Sequence, residues 1–168
     1  MTSSSTEGIG LTAFNKMAPA QAHAALLACC HAARWAQDVA VGRPYPSLAV
    51  LLDRAAAALT DEDVTEALAG HPRIGQAPTQ AHSSWSKREQ AGVSGSDDQV
   101  LAELAEGNRA YEQRFGHIYL VCAAGRSAPD LLRTLRDRLG HDPDTERQVM
   151  RDELRKINEL RLAKLIGP

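Results

Sequence analysis

The spacing of apolar residues along the chain predicts a protein built almost entirely of helices. From Leu11 onward, apolar residues recur at the three- and four-residue intervals of an amphipathic helix. Glycine, proline and capping residues separate the apolar runs, and the predicted helices cover residues 20–32, 33–41, 47–59, 61–68, 85–91, 96–115, 128–139 and 143–166. We therefore predict an all-α fold, a single domain of about eight helices in an orthogonal or bundled arrangement.

Signals at the helix starts support these boundaries. Pro19 suits the first turn of a helix, where a missing N–H costs nothing. Thr60 and Ser127 are good N-cap residues, and each is followed three residues later by an acid, Asp63 and Asp130, in the arrangement of a capping box.

Two segments depart from the helical pattern. Residues 1–10 are small and polar, so we expect a disordered tail ahead of a domain that covers residues 11–168. Residues 117–123 form the one β-like run. Because a single strand cannot make a sheet, we interpret this run as a short, buried, extended connector.

Composition and charge narrow the class of protein. The chain has 168 residues, 43% of them hydrophobic, which is enough to bury a core without disulfides or metal. The formal net charge is −2, and the C-terminal arginines alternate with acids, so neither nucleic acid nor a membrane surface is expected as a partner. No apolar run approaches the ~20 residues of a membrane-spanning helix.

The cysteines and the first residues indicate a compartment. Cys29, Cys30 and Cys122 form no C-x-x-C pair and no disulfide framework, which is typical of a reducing cytosol. Residues 1–8 lack the basic and apolar regions of a secretory signal peptide. We therefore expect a cytoplasmic protein.

The last helix contains an arginine on its apolar face. At 100° per residue, one face of this helix collects four apolar residues: Met150, Leu154, Ile157 and Leu165. Arg161 falls in the middle of that face and requires an anionic or carbonyl partner, because burying an unpaired guanidinium is costly. On the pattern alone an internal partner or a snorkelling side chain is favoured, and the alternative is an arginine that binds a substrate carboxylate or carbonyl.

Two further polar features are candidates for chemistry. Ser86, Glu89 and Gln90 lie at i, i+3 and i+4, so they share a helix face suited to a small polar heterocycle, although most such triplets are solvated surface. His71 precedes Pro72 in a loop bracketed by glycines, where an imidazole can act as acid or base near neutral pH, although an isolated loop histidine is more often a surface residue. No histidine pair has metal-ligand spacing, so we expect no metal site.

Six groups of residues, in order, resemble one known family over residues 11–166. They are Phe14-Asn15; Cys29-Cys30 with Arg34-Trp35; His71-Pro72-Arg73-Ile74-Gly75; Ser86-Lys87-Arg88-Glu89-Gln90-Ala91-Gly92; Phe115-Gly116 with Tyr119-Leu120-Val121-Cys122-Ala123 and Gly125-Arg126-Ser127; and Lys156-Ile157 with Leu160-Arg161-Leu162. With these motifs the chain resembles the 2-oxo-4-hydroxy-4-carboxy-5-ureidoimidazoline (OHCU) decarboxylases.

The resemblance implies a helical enzyme, often a homodimer, that converts OHCU to (S)-allantoin in urate breakdown without metal or organic cofactor. It implies that His71 is the catalytic proton donor and that Glu89 takes part in catalysis. The implied substrate-binding residues are Pro72, Ser86, Lys87, Arg88, Glu89, Gln90, Tyr119, Leu120, Val121, Cys122, Ala123 and Arg161. Three residues beside the site, Gln76, His117 and Tyr119, depart from the family pattern, which affects the fine geometry of the substrate more than the reaction class.

A mechanism follows as a hypothesis. Loss of CO₂ leaves negative charge on a ring carbon, so the site must orient the ring and deliver one proton to one face. Arg161 and Gln90 would hold ring carbonyl or ureido groups, and Glu89 would accept a hydrogen bond from the substrate hydroxyl. Backbone N–H groups of residues 119–123 would serve as donors, since no sheet consumes them. His71, restricted by Pro72, would then protonate one face.

Two other interpretations remain open at this point. The first keeps the fold and exchanges the substrate for a related ureido or hydantoin acid. The second is a helical interaction domain without catalysis, in which Arg161 pairs internally and the Ser86 helix is surface. An enzyme requires its polar residues to meet in one pocket, whereas an interaction domain requires a large exposed apolar patch.

Overall fold

A computed structural model describes residues 8–75 and 97–168 and confirms an all-α fold. The described part of the chain contains eight helices: α1 (Leu11–Lys16), α2 (Pro19–Cys29), α3 (Ala33–Val41), α4 (Leu48–Ala58), α5 (Asp61–Ala69), α6 (Asp98–Phe115), α7 (Ala128–Leu139) and α8 (Pro143–Ile166). The predicted helix over residues 85–91 lies outside the described residues. Within the described helices, no segment is long and apolar enough to cross a membrane.

The contacts divide the chain into two units. The first unit contains residues up to Ala67 together with Arg155–Pro168, and the second contains Leu68–Leu154. Helix α8 therefore contributes its first part to the second unit and its last part to the first. The prediction of one domain over residues 11–168 stays a prediction.

Capping chemistry sets the helix starts, as the sequence indicated. The Thr60 hydroxyl accepts from the Asp63 N–H at 3.3 Å, and the Asp63 carboxylate accepts from the Thr60 N–H at 2.8 Å, which completes a reciprocal capping box. The Ser127 hydroxyl accepts from the Asp130 N–H at 3.3 Å. Helix α2 begins at Pro19, one residue before the predicted start, and ends at Cys29, three residues before the predicted end.

In the first unit, α2 packs on α3 and α3 on α4. The Trp35 side chain lies wholly buried there and donates from its indole N–H to the Ala55 carbonyl at 2.8 Å. A buried aspartate, Asp63, pairs with Arg34 at the start of α5. Burial raises the pKa of Asp63, but hydrogen bonds from Arg34 and Thr60 outweigh it and hold the pKa below 3.8.

Residues 8–10, which the sequence analysis assigned to the tail, lie against the end of α8. Ile9 N–H donates to the Leu165 carbonyl and Gly10 N–H to the Ile166 carbonyl, both at 2.8 Å. These carbonyls belong to the last turn of α8, where no partner within the helix exists for them. The backbone at Gly8 passes so close to Gly167 that a Cβ at position 8 would lie 2.3 Å from the Gly167 nitrogen. Backbone pairing, which leaves no mark on side-chain composition, fixes residues 8–10.

In the second unit, α6 packs on α7. Their interface forms a hydrophobic core around Leu104, Tyr111, Leu131 and Leu135, each fully buried. Residues 117–123 connect the two helices and form neither a helix nor a strand. Residues from the His71 loop and from the segment 117–123 both pack in this core.

Candidate functional site

The His71 loop follows α5 directly. The His71 N–H donates to the Leu68 carbonyl at 3.1 Å and so closes the end of that helix, with the His71 side chain half-buried. Pro72 then prevents helical geometry at His71. Gly75 ends the described loop with φ +88°, in the left-handed region that favours glycine. The sequence Gly-His-Pro-Arg-Ile-Gly therefore ends α5 and continues as a turn.

Two side chains of helix α6 hydrogen-bond to residues that follow His71. The Asn108 side chain, itself buried, donates to the Ile74 carbonyl at 3.0 Å. One helical turn later, the Glu112 carboxylate accepts two hydrogen bonds from the Arg73 guanidinium, at 2.5 and 3.3 Å. Because Asn108 and Glu112 lie at i and i+4, they present one polar edge of α6 to the loop.

The connector between α6 and α7 buries its side chains in the core of the second unit. Tyr119 is 1% exposed, and its hydroxyl donates to the Leu131 carbonyl at 3.1 Å. Burial raises the pKa of the Tyr119 phenol, which keeps it neutral. Val121 and Ala123 are buried in the same core. The Tyr119 side chain thus packs in the core, and its hydroxyl, the polar group that departs from the family pattern, is accommodated by the Leu131 carbonyl.

The connector backbone is held by two charged side chains. Arg138 donates to the Leu120 carbonyl at 2.6 Å, and the Glu153 carboxylate accepts from the Cys122 N–H at 3.0 Å. The second contact corrects the sequence-based hypothesis that the N–H groups of residues 119–123 are all available to a substrate. That hypothesis counted only sheet partners, whereas here a side chain of α8 takes the Cys122 N–H.

Arg138 belongs to a buried polar network. It is 3% exposed and pairs with Glu146, which is 0% exposed. Glu146 also accepts from the Tyr111 hydroxyl at 2.5 Å and contacts His141 Nδ1 at 3.1 Å. Burial lowers the pKa of Arg138, but the bond to Glu146 outweighs it and the pKa rises, so Arg138 stays ionised. The Tyr119 ring lies 4.8 Å from the guanidinium carbon, a cation–π contact.

One hydrophobic core brings the His71 loop and the connector into the same unit. Ile74, three residues after His71, packs in the cluster that includes Tyr119, Val121 and Ala123. The structure therefore places two of the six predicted groups of residues against the same core. It does so through α6, which bonds to the loop, and α7, which bonds to the connector.

Arg161 is buried in the first unit, as its place on the helix face predicted. It is 3% exposed, and its Nη1 donates to the Cys29 carbonyl at 2.8 Å. That carbonyl ends α2, where the helix dipole concentrates partial negative charge. The carbonyl partner that the sequence required is thus present.

Asn158 lies one helical turn before Arg161 and is also buried, at 4% exposure. Its side-chain amide acts on the thiol of Cys30, the residue that follows the Arg161 partner Cys29. Burial raises the pKa of the Cys30 thiol to about 12, although the Asn158 amide and the charge of Arg161 act in the opposite direction. Cys30 is therefore neutral and does not offset the charge of Arg161.

Several predicted site residues lie outside the described part of the chain. They are Ser86, Lys87, Arg88, Glu89 and Gln90, together with the family departure Gln76. Among the described residues, no group of three or more His, Cys, Asp or Glu side chains is placed to hold a metal ion.

Sequence analysis missed the residues that support the candidate segments. They are Asn108, Arg138, Glu146, Glu153 and Asn158. The test that identified Arg161 identifies two of them. Arg138 follows Leu131 and Leu135 at helical spacing on the apolar face of α7, and Asn158 follows Leu154 by four residues on the same face of α8 as Arg161.

Comparison with known proteins supplies the family. The family model described as OHCU decarboxylase matches residues 15–163. The chain is 30% identical over 147 residues to the uric acid degradation bifunctional protein TTL of Arabidopsis thaliana, covering 83% of this chain and 45% of that protein. It is 36% identical over 77 residues to the 2-oxo-4-hydroxy-4-carboxy-5-ureidoimidazoline decarboxylase of Amia calva, covering 46% and 44% of the two chains. The chain spans less than half the length of these relatives.

Two solved structures have a fold similar to that of this chain. A crystal structure of OHCU decarboxylase in the presence of (S)-allantoin superposes with a TM-score of 0.72 at 30% identity, over 83% of this chain and 95% of the other. A crystal structure of (S)-allantoin synthase gives a TM-score of 0.70 at 18% identity, covering 94% of this chain and 54% of the other, and so supports the fold.

Proposed function

Because this chain belongs to the OHCU decarboxylase family, we propose that it decarboxylates OHCU to (S)-allantoin in urate breakdown. The observation that carries the proposal is the family match over residues 15–163, which includes every predicted site residue in order. A relative of 30% identity whose structure was determined with (S)-allantoin supports the same substrate class.

His71 is proposed as the proton donor. Its backbone is fixed from both sides, by the Leu68 carbonyl before it and by the α6 contacts of Arg73 and Ile74 after it. A fixed imidazole delivers its proton along one direction, and attack on one face of a planar carbanion gives one enantiomer. This restriction would favour the (S) product over the racemate that the uncatalysed decay yields.

Arg161 is proposed to bind an anionic or carbonyl group of the substrate. Its Nη1 is held by the Cys29 carbonyl, and the neighbouring Cys30 thiol is neutral. A buried, positioned guanidinium stabilises negative charge more strongly than an exposed one does, because water screens it less. Arg161 would therefore stabilise charge that develops as CO₂ departs.

Residues 119–123 are proposed to contact the substrate chiefly through their backbone. The Tyr119, Val121 and Ala123 side chains are buried in the core. The Leu120 carbonyl and the Cys122 N–H are held by Arg138 and Glu153, which fixes the segment in place. Glu89, within the stretch Ser86–Gln90, is proposed to accept a hydrogen bond from the substrate hydroxyl.

We propose, further, that the protein is a cytoplasmic homodimer that requires no cofactor. Cys29, Cys30 and Cys122 form no disulfide, which is compatible with a reducing compartment. Light scattering coupled to size-exclusion chromatography measures the assembly directly. A mass near twice 18.1 kDa supports the dimer, and a mass near 18.1 kDa contradicts it.

Release of CO₂ from freshly generated OHCU, with and without the protein, tests the proposed reaction. Acceleration with OHCU and none with other ureido or hydantoin acids supports the assigned substrate. Acceleration only with such a related acid would show that the substrate is a related ureido or hydantoin acid and not OHCU. No acceleration with any of them would favour a helical interaction domain without catalysis.

A further inference from the structure

The feature that the proposed mechanism does not use is the side-chain amide of Asn158. Asn158 is 4% exposed, and its Oδ1 has no hydrogen-bond partner. Leaving a buried acceptor unpaired costs ~1–3 kcal/mol. Such a cost calls for a physical reason, and a ligand group that completes the hydrogen bond is one.

The surroundings of Asn158 are those of a binding residue. It precedes Arg161 by three residues on α8, so both side chains leave the helix on the same face. The residues of α2 that they affect are also adjacent: Arg161 bonds to the Cys29 carbonyl, and the Asn158 amide acts to lower the pKa of the Cys30 thiol. The end of α2 therefore fixes an acceptor and a positive charge side by side.

The Asn158 oxygen and the Arg161 guanidinium are complementary to a ureido group. A ureido group offers a carbonyl oxygen, which accepts hydrogen bonds, beside N–H groups, which donate them. The Asn158 oxygen complements the N–H, and the Arg161 charge complements the carbonyl.

We propose that Asn158 is a substrate-binding residue, whose amide accepts a hydrogen bond from the ureido N–H of a ligand that Arg161 also holds. This inference rests on the proposed function, which it deepens by assigning the ureido arm of the substrate to a named side chain. The buried residues Leu154, Ile157 and Leu162 of the same helix are apolar and offer the Asn158 oxygen no side-chain hydrogen-bond partner.

The test is Asn158→Leu, which keeps the shape and removes the amide. Calorimetric titration with (S)-allantoin and with hydantoin, which lacks the ureido arm, separates the contribution of that arm. The wild-type protein should bind (S)-allantoin more tightly, and Asn158→Leu should lose at least about tenfold of that preference, ~1.4 kcal/mol. The KM for OHCU should rise by a similar factor.

Thermal unfolding distinguishes binding from a purely structural role. Removing an unpaired buried acceptor should leave Tm unchanged or raise it, whereas an asparagine that serves the fold would lower Tm on replacement. Glu159→Gln, at the neighbouring position on the partly exposed side of α8, is the matched control and should change neither quantity. If Asn158→Leu fails to fold, Asn158→Ala removes the amide without adding bulk.

Unchanged preference and unchanged KM in a folded variant would overturn the inference. The binding titration is independent of turnover, so a wild-type protein that binds (S)-allantoin but releases no CO₂ would contradict the proposed function alone. A wild-type protein with no preference for (S)-allantoin over hydantoin would contradict the assignment of Asn158, whatever its activity.

Discussion

Removing Arg138 should destabilise the protein far more than removing Arg136 from the same helix. Both arginines pair with a glutamate, but the Arg138–Glu146 pair is 3% and 0% exposed, whereas the Arg136–Glu103 pair is 62% and 35% exposed. In Arg138→Met, Glu146 stays buried with only the Tyr111 hydroxyl and His141 as partners. Breaking a buried pair in this way costs ~3–5 kcal/mol.

For a chain of this size, ~1 kcal/mol shifts Tm by ~2–4 °C, so Arg138→Met should lower Tm by roughly 6–20 °C. Arg136→Met should cost ~0–1 kcal/mol, because water already solvates that pair. Differential scanning calorimetry and urea unfolding of both variants make the comparison. Equal losses of stability in the two variants would refute the reasoning, since they would mean that burial does not determine how much an ion pair contributes to stability.

The double variant Arg138→Met with Glu146→Leu separates charge from packing. If the cost in Arg138→Met arises from the stranded carboxylate, removing that carboxylate should recover part of the lost stability. The double variant should still raise the KM for OHCU, because the Leu120 carbonyl loses its hydrogen bond and the connector is no longer held. Full recovery of KM would show that Arg138 does not position the connector.

Three further predictions concern single residues. His71→Ala should abolish the single-handed product, measured by circular dichroism, and retained handedness would exclude His71 as proton donor. Tyr119→Phe should cost ~1 kcal/mol in urea unfolding through loss of the bond to the Leu131 carbonyl, while product handedness stays unchanged. Since the pKa of Asp63 is held below 3.8 in the folded state, its contribution is complete above that pH and is lost as pH falls through the lower folded pKa. Asp63→Asn should therefore unfold with a weaker dependence on pH in the acid range, and an unchanged acid profile would contradict the role of Arg34 as its partner.

The helices were predictable because their signals are local. The Thr60–Asp63 capping box, the N-cap Ser127 and the buried position of Arg161 follow from spacing within one helix. The lack of a strand at 117–123 was also predictable, because the sequence offers no second β-like run to pair with it.

The supporting contacts were not predictable, because they join residues far apart along the chain. Asn108 bonds to a carbonyl 34 residues away, and Glu153 to an N–H 31 residues away. A backbone carbonyl or N–H carries no sequence identity, so no motif marks its partner. The bonds that hold residues 8–10 to the end of α8 belong to the same class, which is why that segment was assigned to a tail.

The measurement that tests the central claim most directly is the circular dichroism of allantoin formed from freshly generated OHCU, recorded over time with and without the protein. We predict rapid growth of a signal of (S) sign in its presence and slow formation of an optically silent product in its absence. An identical silent time course with and without the protein would contradict the assignment of this chain as a stereoselective OHCU decarboxylase.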